Sequence, residues 1–256
     1  QGRFAPGPLY SGPCLKRYEA PILRAFLTVI FVVLSGCTSE YEQGNLIVYP
    51  SGDRSFNYEV VLPESDGKKP LVVFSHGSGG DYHSYDWVFE ALVKNGYVVA
   101  AFNHPFDNAM NNTDKGVLRV WDRPQDVSLL VDALLADQRW SAHIDPNRIS
   151  VVGHSSGGYT ALSLGGALFK PDLMIEYCSG NTRGPDCDLA NNDVSIDYST
   201  ASLSYKDDRV KSVVAMAPAL GPGVEQRSLE AVNIPVLILA TEDDELLKLE
   251  KHAKYY

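Results

Sequence analysis

Arg148-Ile149-Ser150-Val151-Val152-Gly153-His154-Ser155-Ser156-Gly157-Gly158-Tyr159-Thr160-Ala161-Leu162-Ser163-Leu164 is the stretch on which the reading of this chain turns. A run of β-favouring residues delivers a serine with glycines two before and two after it, and a helical pattern opens directly behind. The spacing has a mechanical reason. A serine on a tight strand-to-helix turn projects its hydroxyl clear of the backbone, and residues without Cβ let strand and helix close on each other. Ser155 is therefore the candidate nucleophile. The strand–turn–helix context carries more of that weight than the short motif alone.

Towards the N-terminus, Pro70-Leu71-Val72-Val73-Phe74-Ser75 is a second apolar β run, and it delivers His76-Gly77-Ser78-Gly79-Gly80. A glycine-rich loop after an earlier strand supplies the second half of an oxyanion hole. The N–H groups of Ser78 and Ser156 are the candidate donors, and one such donor is worth about 3–4 kcal/mol to the transition state. His76 is expected to orient that loop, and His154 to pack or hydrogen-bond beside the serine.

The remaining pattern predicts strands at Phe56–Leu62, Leu71–Phe74, Tyr97–Phe102, Ile149–Val152, Val210–Ala215 and Val236–Ala240. Helices are predicted at Tyr85–Lys94, Gln125–Gln138 and Ser156–Phe169, with Pro124 at a first-turn position. Continuously apolar strands alternating with helices indicate an α/β fold with a mostly parallel, doubly wound sheet. Ligands in such sheets sit beyond the carboxyl ends of the strands, where the Ser155 and His76 loops both lie. Arg123 and Asp126 are expected to fix loops near that rim by charge-assisted hydrogen bonds.

The chain resembles the serine α/β-hydrolases, in particular the bacterial "predicted dienelactone hydrolase" group related to platelet-activating-factor acetylhydrolases. The resemblance rests on Val72-Val73-Phe74-Ser75-His76-Gly77, Asn95-Gly96-Tyr97-Val98-Val99-Ala100-Ala101, Asn103-His104-Pro105, Arg123-Pro124-Gln125-Asp126, Val152-Gly153-His154-Ser155-Ser156-Gly157-Gly158-Tyr159 and Ile234-Pro235-Val236-Leu237-Ile238. It implies ester hydrolysis through an acyl-enzyme, with no metal or organic cofactor and with a small or lipid-like ester as substrate. An amidase or a polyester hydrolase would use the same machinery, and a non-catalytic envelope lipoprotein could keep the fold. True dienelactone hydrolases carry a cysteine nucleophile where this chain has Ser155, so the group's name does not transfer as a substrate.

The resemblance also implies a triad acid after the strand that ends near Ala240. Aligned on Pro235, the position falls on Asp244, with Asp243 as the alternative among four consecutive acids. The chain order of this fold, Ser then acid then His, leaves His76, His83, His104, His143 and His154 too early. Only His252 follows Asp244. Leu246–His252 reads as a helix that leaves His252 exposed, and Lys254-Tyr255-Tyr256 as the start of a last strand. The family's histidine follows that strand, so the triad base is expected beyond Tyr256. The last strand and helix, and with them activity of these 256 residues alone, are expected to be missing.

Composition agrees with one globular domain: 45% of the 256 residues are hydrophobic and 21% charged, enough to bury a sizeable core. A net charge of −10 argues against nucleic acid as a partner. Lys16, Arg17 and Arg24 precede the apolar run Ala25–Leu34, which has signal-peptide length, and Leu34-Ser35-Gly36-Cys37 resembles a lipobox with Cys37 as the lipidated residue. A short transmembrane anchor or an ordinary secretory signal are the alternatives. Residues 1–14, rich in Gly and Pro, read as translation from upstream of the true start. The expected layout is an extension and signal over 1–36, a tether over 37–50 and the catalytic domain over 51–256. The membrane is then a partner through the lipid, and the location extracytoplasmic. Cys178 and Cys187 lie in an expected loop insertion, 170–208, overhanging the site. In an oxidising compartment they are expected to pair, a zinc site being the rival.

Overall fold

The computed structural model describes residues 41–180, 187 and 194–256. The expected extension and signal over 1–36, and Cys37, lie outside them. The strands are β1 (Tyr41–Gln43), β2 (Ile47–Val48), β3 (Ser55–Phe56), β4 (Tyr58–Val61), β5 (Lys69–Ser75), β6 (Val98–Phe102), β7 (Ile144–His154), β8 (Val210–Met216) and β9 (Val236–Leu239). Seven of them form one sheet in the order β1-β4-β6-β5-β7-β8-β9. β1–β4 and β4–β6 pair antiparallel, and every pair from β6 to β9 is parallel. β4 and β6 are buried along their whole length, as is β5 from Leu71 onward; for β5 and β6 this is what their unbroken apolar runs predict for a sheet covered on both faces.

The α-helices are α1 (Asp86–Lys94), α2 (Asp114–Leu118), α3 (Asp122–Ala136), α4 (Gln138–Ser141), α5 (Ser156–Gly165) and α6 (Pro171–Ser179), followed by the short helix Gln226–Glu230. The largest apolar cluster joins β4, β5, β6 and β7 to α3 and α5 through Trp121, Leu130, Leu134, Tyr159 and Phe169. A second lies against α1, around Phe74, Phe89 and Val99. No helix among the described residues is long and apolar enough to cross a membrane.

The structure corrects several expectations. Part of the expected tether is strand, since Tyr41–Gln43 adds to the main sheet against Glu59–Val61 and Ile47–Val48 pairs with Ser55–Phe56. The run Phe56–Leu62 is divided between two sheets. The helix expected over Ser156–Phe169 stops at Gly165, because Gly166 takes a φ of 125° that ends it. The 170–208 insertion begins as a helix, with Pro171 in its first turn. Leu246–His252 is not helical. Asp244 Oδ1 accepts from the N–H groups of Leu246 and Leu247 (3.0 and 2.8 Å), and the bonds beyond step back three, four or five residues without settling into a helical ladder. Lys254–Tyr256 forms a turn and not a strand.

Cys178 at the end of α6 is disulfide-bonded to Cys187, with Cα atoms 5.3 Å apart, which removes the zinc alternative. Closing so short a loop contributes about 2–3 kcal/mol in the chain-entropy account. Reduction, or Cys187→Ser, is expected to lower the free energy of unfolding by that amount. Equal denaturant midpoints for the oxidised and reduced protein would contradict this.

Candidate active site

β5, β7, β8 and β9 end level with one another: Ser75 lies opposite Gly153, His154 opposite Met216, and Met216 opposite Leu239. The loops leaving these strands share one rim. At its centre, Ser155 has a φ of 55° and a ψ of −120°, a backbone that side-chain-bearing residues rarely adopt. The conformation is held from several sides. Ser155 N–H donates to Met216 O (2.9 Å), and Ser155 O accepts from the N–H groups of Gly158 and Ala219 (2.9 and 3.1 Å). The flanking glycines are sterically required: a Cβ on Gly153 would fall 2.0 Å from Gly157 O, and one on Gly157 would fall 1.9 Å from Ser75 O. Strain that is fixed this firmly by its surroundings belongs to functional turns.

The His76–Gly80 loop abuts the serine, since a Cβ on Gly77 would lie 3.3 Å from Ser155 Cβ. A buried ion pair sets its position. Asp107 Oδ1 accepts from Ser78 Oγ and from Gly79 N–H, both at 2.7 Å, while Oδ2 accepts from Arg123 Nη1 at 2.5 Å. Arg123 also donates to His76 O, and its Nε reaches Thr160 Oγ1 on α5 at 3.3 Å. One guanidinium thus ties the His76–Gly80 loop to α5, as expected of Arg123.

Asp126 does the same for the strand behind. It accepts from Arg54 Nη2 (2.9 Å) and from Tyr49, and it lies 2.8 Å from His104 Nδ1. His104 Nε2 in turn lies 2.8 Å from Ser75 Oγ. With Nδ1 protonated towards the carboxylate, Nε2 accepts from the Ser75 hydroxyl. Ser75-His104-Asp126 is a Ser-His-acid array in its own right, but all three residues are fully buried and none lines the cavity over Ser155. It braces the loop. His104 N–H donates to His76 Nε2 (3.0 Å), so His76 carries its proton on Nδ1 and donates to Gly77 O.

A cavity of about 360 Å³ brings together Ser155, Ser156, Ser78, His154 and Asp244. Asp244, and not Asp243, lies in its wall, held there by the turn it caps. Asp243 is exposed. His154 Nδ1 is 2.8 Å from Tyr85 Oη, in line with a packing role beside the serine. Burial holds His154 below the usual histidine range, with the charge of Asp244 pulling the other way. His252 differs from its expected exposed place. It is 3% exposed, with Lys251 and His252 backbone atoms pressed against Gly221 so closely that a Cβ there would come within 3.0 Å. Burial lowers it to about 4, against the opposing pull of Asp244.

Burial also pushes His76 down to about 4, helped by Arg123, and pushes His104 well below its ordinary value. These groups stay neutral in the fold, whereas the unfolded chain protonates them near pH 6.5. The unfolded state therefore binds more protons between pH 6.5 and 4, and the stability present above pH 6.5 is lost as the pH falls through that window. Asp126, raised by burial to about 6, acts oppositely by retaining a proton that the unfolded chain releases above 3.8. His76 and His104 together outweigh the one carboxyl, and the expected net loss from these three groups between pH 7 and pH 4.5 is on the order of 3 kcal/mol. Denaturant titrations at the two pH values check this; a midpoint that rises at pH 4.5 would contradict it.

The parallel sheet, the strained serine at a strand-to-helix turn and the glycine-rich loop beside it define an α/β-hydrolase fold. The chain belongs to the alpha/beta hydrolase family, whose model matches residues 72–254. No curated protein sequence matches it. Among solved structures it is similar to the acylaminoacyl peptidase of Pyrococcus horikoshii, at 16% identity and a TM-score of 0.50 over 85% of this chain and 34% of that one. It is also similar to the ferulic acid esterase of Streptomyces cinnamoneus, at 20% identity and a TM-score of 0.48 over 77% of this chain and 60% of that one. The chain thus spans about a third of the peptidase and three-fifths of the esterase, and its likeness to the peptidase is one of fold.

Sequence reasoning missed Asp107, Arg54 and the bracing role of His104. No motif surrounds Asp107 or Arg54; the run Asn103-His104-Pro105 was the one visible signal.

Proposed function

We propose that the protein is a serine carboxylic ester hydrolase of the dienelactone hydrolase and platelet-activating-factor acetylhydrolase-like group, working through an acyl-enzyme. The observation that carries this reading is the positive-φ backbone of Ser155 at the wall of a cavity shared with Ser78, Ser156 and Asp244. Ser155 Oγ attacks the ester carbonyl carbon and gives up its proton to a histidine. The carbonyl oxygen takes the electron pair and is held by the N–H groups of Ser156 and Ser78. Collapse expels the alcohol with that proton, and water then releases the acid from the serine by the same steps.

Asp244 holds the histidine in the tautomer that accepts from Ser155 and stabilises the imidazolium. Of the six histidines in this sequence, His252 alone follows Asp244, and it is buried without lining the cavity that holds Ser155. His76 and His104 have both ring nitrogens engaged elsewhere, which fits them for bracing and not for proton transfer.

Hydrolysis of 4-nitrophenyl butyrate by the native protein, abolished in Ser155→Ala, tests the reading. Turnover of the matching anilide at a comparable rate would favour an amidase. No turnover of either would favour the non-catalytic envelope protein.

A further inference from the structure

The cavity over Ser155 has a composition that catalysis does not explain. Its polar groups, Ser78, His154, Ser155, Ser156 and Asp244, gather at the reacting end. The remaining wall is almost entirely aliphatic or aromatic. α2 contributes Val117 and Leu118, the start of α3 contributes Trp121, and α6 contributes Met174 and Ile175. Trp121 is fully buried and stacks on Phe169 with ring centroids 6.0 Å apart, so that side of the chamber is fixed. α6, which also lines the chamber, is anchored by the Cys178–Cys187 disulfide, and Ile175 is 51% exposed on it.

Charge narrows the occupant. Among the described residues that line the chamber, none is a lysine or an arginine, and Asp244 is the one charged group. A carboxylate or phosphate placed there would be desolvated with no cation to receive it, and Asp244 would repel it. At about 360 Å³ the chamber also lies near the lower end of the roughly 300–1,000 Å³ typical of small-molecule sites, which suits a single side group and not a run of peptide.

We propose that this chamber is the specificity site for an uncharged ester bearing a medium-length or aromatic apolar group, which lies between α2, Trp121 and α6 while its carbonyl reaches Ser155. The proposal rests on the serine hydrolase reading. It fixes the substrate class but not which half of the ester enters, and the experiment separates the two. Each methylene moved from water into an apolar site favours binding by about fourfold at full burial. The half-open chamber should return only part of that.

The test uses the native protein with 4-nitrophenyl esters of increasing acyl length and, in parallel, alkyl acetates of increasing alcohol length. Expected is a rise in kcat/KM of about 10-fold or more between the acetate and the heptanoate in one of the series, the steeper one marking the half that enters. Where the acyl series is the steeper, mono-4-nitrophenyl adipate, close to the heptanoate in size but anionic, should be slower than it by about 100-fold. Ile175→Asp, at a half-exposed position on α6, should cut the longest-to-shortest ratio of the steeper series by about 10-fold. Flat or falling rates in both series would overturn the proposal, and so, where the acyl series is the steeper, would adipate turned over as fast as heptanoate. So would an unchanged ratio in Ile175→Asp. A fluorophosphonate adduct on Ser155 in the same preparation would then show that the nucleophile reading survives. No adduct and no hydrolysis would overturn both.

Discussion

Ser155→Ala is expected to lower kcat for an activated ester by about 10⁴–10⁶, to the level that oxyanion stabilisation and binding alone provide. The substitution removes one oxygen and keeps Cβ, so the positive-φ turn is asked to hold a residue of nearly the same shape. Alanine already tolerates such a backbone in this fold, because Ala217 has a φ of 40°. The bonds that fix the turn are all main-chain: Ser155 N–H to Met216 O, and Gly158 and Ala219 N–H to Ser155 O. They survive the change. The thermal midpoint should therefore stay within a degree or two while turnover collapses. A variant that keeps more than about a hundredth of the wild-type kcat would place the nucleophile elsewhere.

Arg123→Met is expected to produce the largest loss of stability, about 3–5 kcal/mol. Arg123 and Asp107 are each 1% exposed, and the guanidinium is the cation that meets Asp107 Oδ2. Removing it strands a carboxylate out of water, and that penalty, more than the lost bond, sets the size of the effect. His76 O and Thr160 Oγ1 lose a donor at the same time. Arg123→Lys should recover little, because a single ammonium cannot span Asp107, His76 and Thr160 together. Paired with Asp107→Leu, Arg123→Met should destabilise less than alone, since no buried charge is left over. Urea titrations of the four proteins decide this. Strict additivity of the two single substitutions would contradict the account.

Much of this arrangement was legible in the sequence, for a definite reason. Val72–Phe74, Val98–Phe102 and Val151–Val152 are unbroken apolar runs because parallel strands bury both faces, and Gly153 and Gly157 are glycines because any Cβ would overlap the backbone of Gly157 or Ser75. Local rules suffice where the constraint is local. β1 was not legible: Tyr41-Glu42-Gln43 is short, polar and on the sheet edge, and its strand character comes from Glu59–Val61 alone. Leu246–His252 misled in the opposite direction. Its leucines fall at helical spacing, but Asp244 takes the first N–H groups into a turn around the cavity. Val236–Leu239 reads like the central strands, yet Leu237 and Leu239 are about half exposed, because β9 pairs on one side, with β8. The buried contacts of Asp107, Asp126 and His104 join residues 16 to 77 positions apart and leave no periodic trace, so only the folded backbone reveals them.

The central claim, that Ser155 is an activated nucleophile and not a serine in a tight turn, is tested most directly by treating the native protein with a fluorophosphonate and mapping the adduct by peptide mass spectrometry. The account predicts one stoichiometric adduct, on Ser155, that is absent from Ser155→Ala and blocked by prior acid denaturation. Labelling of any other residue in preference to Ser155, or esterase activity that persists while Ser155 stays unmodified, would contradict it.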